Sequence, residues 1–288
     1  MASCATGALL LPFAQPLHPT LRDAEEVRAI LERKVPPELA VQIVSLGYSP
    51  WVAKRRADEC IFYPDYSSPD ENHCVAVLHL ASERVPDDDG DDGNDDNGRR
   101  RVVPRRVIFQ TSAAYGGWVS DRSSYFAKEE DAFRNSHARF DASILRPLSP
   151  SPSSSSSSSS SRGAERQGTG QDMLPPLEIA VSDCWWEPRA AADALREKGW
   201  EFVEAEDGRI EWRVCNNSEA HREWQDYKVE WTRGLRADSK DDDRVGKGAG
   251  FVELLKPGYI VVLWARTGLR SWCSKVRAAT IEIEYELP

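Results

Sequence analysis

Apolar positions along the chain recur first at helical spacing and then, after residue 51, mostly at the period of two that marks strands. Thr20 or Asp23 caps a first helix running through Glu25, Glu26, Val27, Ile30 and Leu31. Acidic side chains sit in its first turn, where the helix dipole favours them, and Arg33 and Lys34 follow at its end. Pro36-Pro37 stops this helix and starts a second over Pro37 to Leu46, with Gly47 as its C-terminal cap and Tyr48 to Trp51 as an anchored exit. In that second helix Leu39, Ile43 and Leu46 line one face and Val44 widens it. Two short helices cannot bury such stripes alone. The face formed by Leu39, Ile43 and Leu46, with Trp51 beyond it, must therefore dock either on the protein's own sheet or on another protein.

The remainder reads as strands. The expected segments are His73 to Leu80, Arg101 to Thr111 with Pro104 at a bulge or an edge, Arg139 to Leu145, Leu177 to Ser182, Arg209 to Val214, Tyr227 to Thr232, Tyr259 to Ala265 and Thr280 to Glu286. Only Arg189 to Lys198, Ala-rich and closed by Gly199, interrupts them as a helix. In the last strand Ile281, Ile283 and Tyr285 fall on one face and Glu282, Glu284 and Glu286 on the other. Many short strands between polar turns predict a mainly β chain, a jelly-roll-like β-sandwich preceded by a short helical segment, α+β overall. The predicted map is a disordered N-terminus over 1–20, a helical motif over 21–56 and a sandwich over 57–288. Flexible insertions interrupt the sandwich at 86–100, 148–174 and 236–249. Pro86 to Asn97 and Ser149 to Gln171 carry too few apolar residues to join a core, so their deletion should cost little stability.

Charge changes this picture less than its total suggests. Asp87 to Asp96 holds seven Asp and no cation, and Asp238 to Asp243 holds four Asp and one Lys. Those two runs account for the whole formal net charge of −10, so the rest of the chain is balanced. No basic face for a phosphate backbone is implied, and nucleic acid is not an expected partner. The six cysteines form neither CxxC pairs nor a disulfide framework. Ala8 to Ala14 is apolar but lacks a basic flank and is too short to span a bilayer. The expected compartment is reducing, cytoplasmic or nuclear, with no membrane association.

Candidate chemistry is sparse. Nine of the ten tryptophans lie from Trp118 onward, and most are expected to fill a sandwich core. Trp118 and Trp272 differ, since each falls in a loop-like context after a strand. With Arg266 or Arg270 they would make a shallow aromatic and cationic binding site at one rim, suited to a sugar face or a partner side chain. His73 and His79, six residues apart, are expected on one strand face with Val75 and Val77 between them, partly exposed, with no third ligand for a metal. Asp87 to Gly98 fails as an EF-hand loop, because its sixth and twelfth places hold Asp92 and Gly98 rather than Gly and Glu. No nucleophile elbow, Walker loop, GxGxxG or HExxH occurs, so neither catalytic residues nor a cofactor are expected.

Glu26 to Leu31, then Val35 to Leu39 through Ile43 to Tyr48 and Trp51, resembles the helical opening of a group of uncharacterised filamentous-fungal proteins. The same stretch is similar to the first helix of an F-box. Three later blocks fit the group as well: Arg106 to Trp118, Trp212 to Trp231 with His221, and Gly258 to Ile283. Where the group has a polar run before its tryptophan, this chain has Ala113 to Gly117. The resemblance implies a jelly-roll-like sandwich without an established activity, and the F-box likeness implies a Skp-type ubiquitin-ligase adaptor as partner. Two functions stay open. One is a non-enzymatic recognition protein working through its helical motif. The other is a sandwich that binds a small ligand or glycan.

Overall fold

The computed structural model describes residues 19–63, 74–86, 102–116, 138–148, 177–178, 183–217, 223–234, 244–268 and 273–286. The chain opens with α1 (Leu21–Leu31) and α2 (Pro37–Gly47). Thr20 caps α1 through a reciprocal box in which its hydroxyl accepts from the Asp23 N–H while the Asp23 carboxylate accepts from the Thr20 N–H. The two helices pack on each other through Ala24 and Val44, with Val27, Leu31 and Tyr48 around them. Leu21 belongs both to this small cluster and to the main core, so it ties the helical pair to the sheets.

Two antiparallel sheets follow. The first contains β1 (Trp51–Arg56), β2 (Cys60–Phe62), β4 (Val103–Gly116), β9 (Gln225–Thr232) and β11 (Cys273–Glu286). Its order is β1-β11-β4-β9, with β2 pairing farther along β11. The second contains β3 (Val75–Ala81), β5 (Ala138–Pro147), β6 (Cys184–Trp185), β7 (Trp200–Phe202), β8 (Trp212–Asn216) and β10 (Ile260–Thr267). Its order is β6-β3-β10-β5-β7, with β8 also on β5. A 3-10 turn (Pro188–Ala191) and α3 (Ala192–Glu197) close over its outer face, and α4 (Phe251–Leu254) precedes β10. The chain is thus mainly β, two antiparallel sheets in a sandwich behind two short helices. No helix among the described residues is long and apolar enough to cross a membrane.

The core follows the alternation. Val107 and Phe109 on β4, Phe140, Ala142 and Ile144 on β5, Val261, Leu263 and Ala265 on β10, and Ile281, Ile283 and Tyr285 on β11 meet between the sheets. A second cluster on the outer face of the second sheet joins Ala76, Leu78, Leu145, Val262 and Trp264 to Ala191, Leu195 and Trp200. Trp51, Trp200, Trp212, Trp231 and Trp264 are buried, whereas Trp185 and Trp224 are half-buried and Trp186 is exposed.

Several expectations need adjusting. β11 starts at Cys273, well before Thr280, and β1, β2 and β7 were not foreseen as strands. Pro104 sits beside a register shift opposite Glu284 and Tyr285 in an internal strand, so the bulge alternative holds and the edge alternative does not. The strand expected over Leu177 to Ser182 falls largely outside the described residues, and β6 follows it. The segment 236–249, expected to be flexible, is described from Arg244 onward, and there it is fixed. Val245 bridges Cys215, and the Gly246 carbonyl accepts from the Trp231 indole N–H at 2.7 Å. Gly248 has φ +60°, and a Cβ there would overlap that indole, so glycine answers to close approach here rather than to flexibility. Gly248→Ala should therefore lower the urea midpoint clearly, whereas Gly47→Ala, with open space around it, should not.

Candidate functional site

Two regions hold the residues singled out from the sequence, and the helical pair is the first. The α2 stripe does not dock on the protein's own sheets, because its Ala40 and Val44 side is the one turned inward. Leu39, Ile43 and Leu46 are 47%, 46% and 89% exposed. With Ile30 on α1 they make four of the seven large apolar side chains that are exposed among the described residues, so exposed apolar surface concentrates on this pair. Trp51, grouped with them from the sequence, is instead buried as the first residue of β1, and its N–H donates to the Pro19 carbonyl at 2.8 Å.

Trp51 opens a row that crosses the first sheet through Glu284 on β11 and Arg106 on β4 to Thr232 on β9. The Arg106 guanidinium lies 5.0 Å over the Trp51 ring, is ion-paired with Glu284, and donates to Glu230 at 2.9 Å. Between this row and the C-terminal end of α2 is a cavity of about 470 Å³, with Leu46 and Ser49 on its helical side. Two arginines, Arg105 and Arg106, and two glutamates, Glu230 and Glu284, line it, and both glutamates pair with Arg106. Farther along the same face the Gln110 amide donates to Glu282, and Ser112 donates to Asp226, toward which Arg277 also points. Glu282 and Glu284 of β11 are thus buried and paired on the sheet's outer face while the alternating Ile281, Ile283 and Tyr285 fill the core.

The second region is the rim where β2, β4, β8 and β10 end and β3, β5, β9 and β11 begin. Register places these ends together: Thr267 faces both Val75 and Ala138, and Cys273 faces Gly116. Trp118, Trp272 and Arg270 lie outside the described residues. Arg266 is described and is not an open cation. Its Nη1 donates to Asp141 at 3.0 Å and to Glu211 at 3.3 Å on the outer face of the second sheet, and Arg139 donates to the same Asp141 oxygen at 2.9 Å. Burial, then the Asp141 charge, raises the Glu211 carboxyl above its ordinary range. What sequence reasoning missed at this rim is a buried polar layer between the sheets, with Asn217, Thr267 and Ser274 among its members.

Burial pushes the Cys215 thiol up to about 12, so it stays protonated at neutral pH. His79 is fully buried rather than partly exposed, and His73 lies outside the described residues. Among the described residues no three His, Cys, Asp or Glu side chains gather as metal ligands would. Neither a protein-family model nor a curated protein matches the sequence.

Proposed function

We propose that this protein is a recognition module that binds a partner protein through the outward face of α2, formed by Leu39, Ile43 and Leu46. The carrying observation is that this stripe faces solvent while the opposite side of the pair is anchored through Ala24, Val44 and Leu21. A stripe of this kind on a short helix suits an apolar helix-to-helix contact. The F-box-like opening supports a Skp-type ubiquitin-ligase adaptor as the partner, and the sandwich is then the part that presents the motif.

The test is direct. A purified Skp-type adaptor is titrated against the full chain and against a Leu39→Asp, Ile43→Asp double variant. Saturable binding to the wild type is expected, with loss in the variant. Exposed sites away from core and caps usually change stability by within about 0.5 kcal/mol each, so the melting temperature should move by no more than about 4 °C. A wild type that ignores the adaptor refutes the partner assignment. A variant that melts far lower refutes the solvent-facing stripe.

A further inference from the structure

The polar layer at the rim goes beyond the helical reading and stands on separate observations. β5 runs between β10 and β8, and its Ala138 pairs with Thr267 on one side while its carbonyl accepts from the Asn217 N–H at 2.9 Å on the other. The core-facing series Val261, Leu263, Ala265 continues to Thr267, and Cys215, opposite core-facing Phe140, continues to Asn217. Both side chains therefore turn into the space between the sheets, separated only by the small Ala138. Asn217 is 3% and Thr267 1% exposed, yet neither atom of the Asn217 amide and not the Thr267 hydroxyl has a hydrogen-bond partner.

Buried polar groups are nearly always paired, and three orphan atoms on β10 and just beyond β8, the two strands that flank β5, call for a partner. We propose that Asn217 and Thr267 are the polar floor of a binding site for a small neutral polyhydroxylated molecule, a monosaccharide or a similar polyol. The valences fit: the amide offers two donors and an acceptor, the hydroxyl a donor and an acceptor, and adjacent sugar hydroxyls supply both kinds. A neutral ligand is favoured by where the charges of the described residues point. Arg139, Asp141 and Arg266 lie on the far face of the second sheet, and Asp226 and Arg277 on the far face of the first. At the same end of the first sheet, Ser274 pairs with Tyr115 and Phe62 in neighbouring strands, so this end of the sandwich also carries two aromatic residues.

The full chain is titrated with glucose, mannose and N-acetylglucosamine by calorimetry and by thermal melting. At least one should give saturable heat and raise the melting temperature with concentration, as any ligand of the native state does. Thr267→Val and Asn217→Leu remove the hydrogen-bonding atoms at similar volume. Each should weaken that binding by about tenfold or more, since a lost hydrogen bond and a stranded ligand hydroxyl are of that order. Without sugar both variants should melt no lower than the wild type, because no protein bond is removed. Absence of heat and shift with all three sugars overturns the proposal, as does binding unchanged in the variants. So does a lower melting temperature of the sugar-free variants, the result expected if ordered water satisfies these groups.

Discussion

Trp231→Ala should be among the most damaging single substitutions in this protein, costing about 3–5 kcal/mol. The Trp231 indole is buried between Phe109 and Phe251, each with ring centroids 4.8 Å from it, and Trp212 meets Phe251 at 5.1 Å. Truncation opens a cavity at the centre of this cluster. It also strands the Gly246 carbonyl, which accepts from the indole N–H at 2.7 Å. The damage should spread, because the Trp212 N–H holds the Ala249 carbonyl at 3.0 Å, and the two indoles together fasten residues 246 to 249 against β8 and β9. For a core of roughly 200 residues such a loss corresponds to a fall in melting temperature of about 10 °C. Trp231→Phe, which keeps a ring and loses the donor, should cost about 1–2 kcal/mol. Urea unfolding followed by circular dichroism checks both. Trp186→Ala, at an exposed ring, serves as the reference, and a Trp231→Ala midpoint equal to it would refute the cluster as a keystone.

That cluster shows where the sequence was legible and where it was not. Alternation in Ile281, Ile283 and Tyr285 identified the core face of β11, and the caps and prolines identified both helices. The long start of β11 stayed hidden because its pairing with β4 shifts between Val276 and Ala278, which breaks the period of two. β1 was hidden by its composition: Lys54, Arg55 and Arg56 carry no apolar alternation and fall within the helical motif expected over 21–56, yet they belong to a strand at the sheet edge, where charge is tolerated. Residues 246 to 249 looked like a flexible loop because glycine signals mobility and close approach with the same letter, and only the Trp231 ring above Gly248 separates the two. The α2 stripe was visible, but which side turned outward depended on the α1 contact through Ala24, a residue too small to announce itself. The rim layer was invisible for a related reason. Asn217 and Thr267 lie 50 residues apart in sequence and become neighbours only through the β8–β5–β10 register.

His79 should make the fold acid-labile. It is the extra residue of a bulge on β3, where Leu80 faces Leu263 and Leu78 faces Trp264 on β10. Its ring meets Phe62 edge-on at 5.8 Å, and neither ring nitrogen has a partner. Burial, reinforced by the nearby Arg56 charge, lowers its pKa from 6.5 to about 3. The unfolded chain therefore binds a proton that the native state refuses. Stability from this group is fully present above pH 6.5 and is lost progressively as pH falls toward 3. One pKa unit is worth about 1.4 kcal/mol, so the loss should reach about 2 kcal/mol near pH 5 and up to about 5 kcal/mol at the lower limit. Glu211 works in the opposite sense, since its raised pKa penalises the native state at neutral pH and acid relieves that penalty. A His79→Leu variant isolates the histidine from this background. At neutral pH it should be at least as stable as the wild type, because it replaces a ring whose nitrogens are unpaired. On acidification the two stability curves, measured by urea unfolding at each pH, should diverge by the amounts above. Parallel curves from neutral pH down to about pH 5 would mean that the imidazole takes up its proton inside the fold, and burial would not be what governs it.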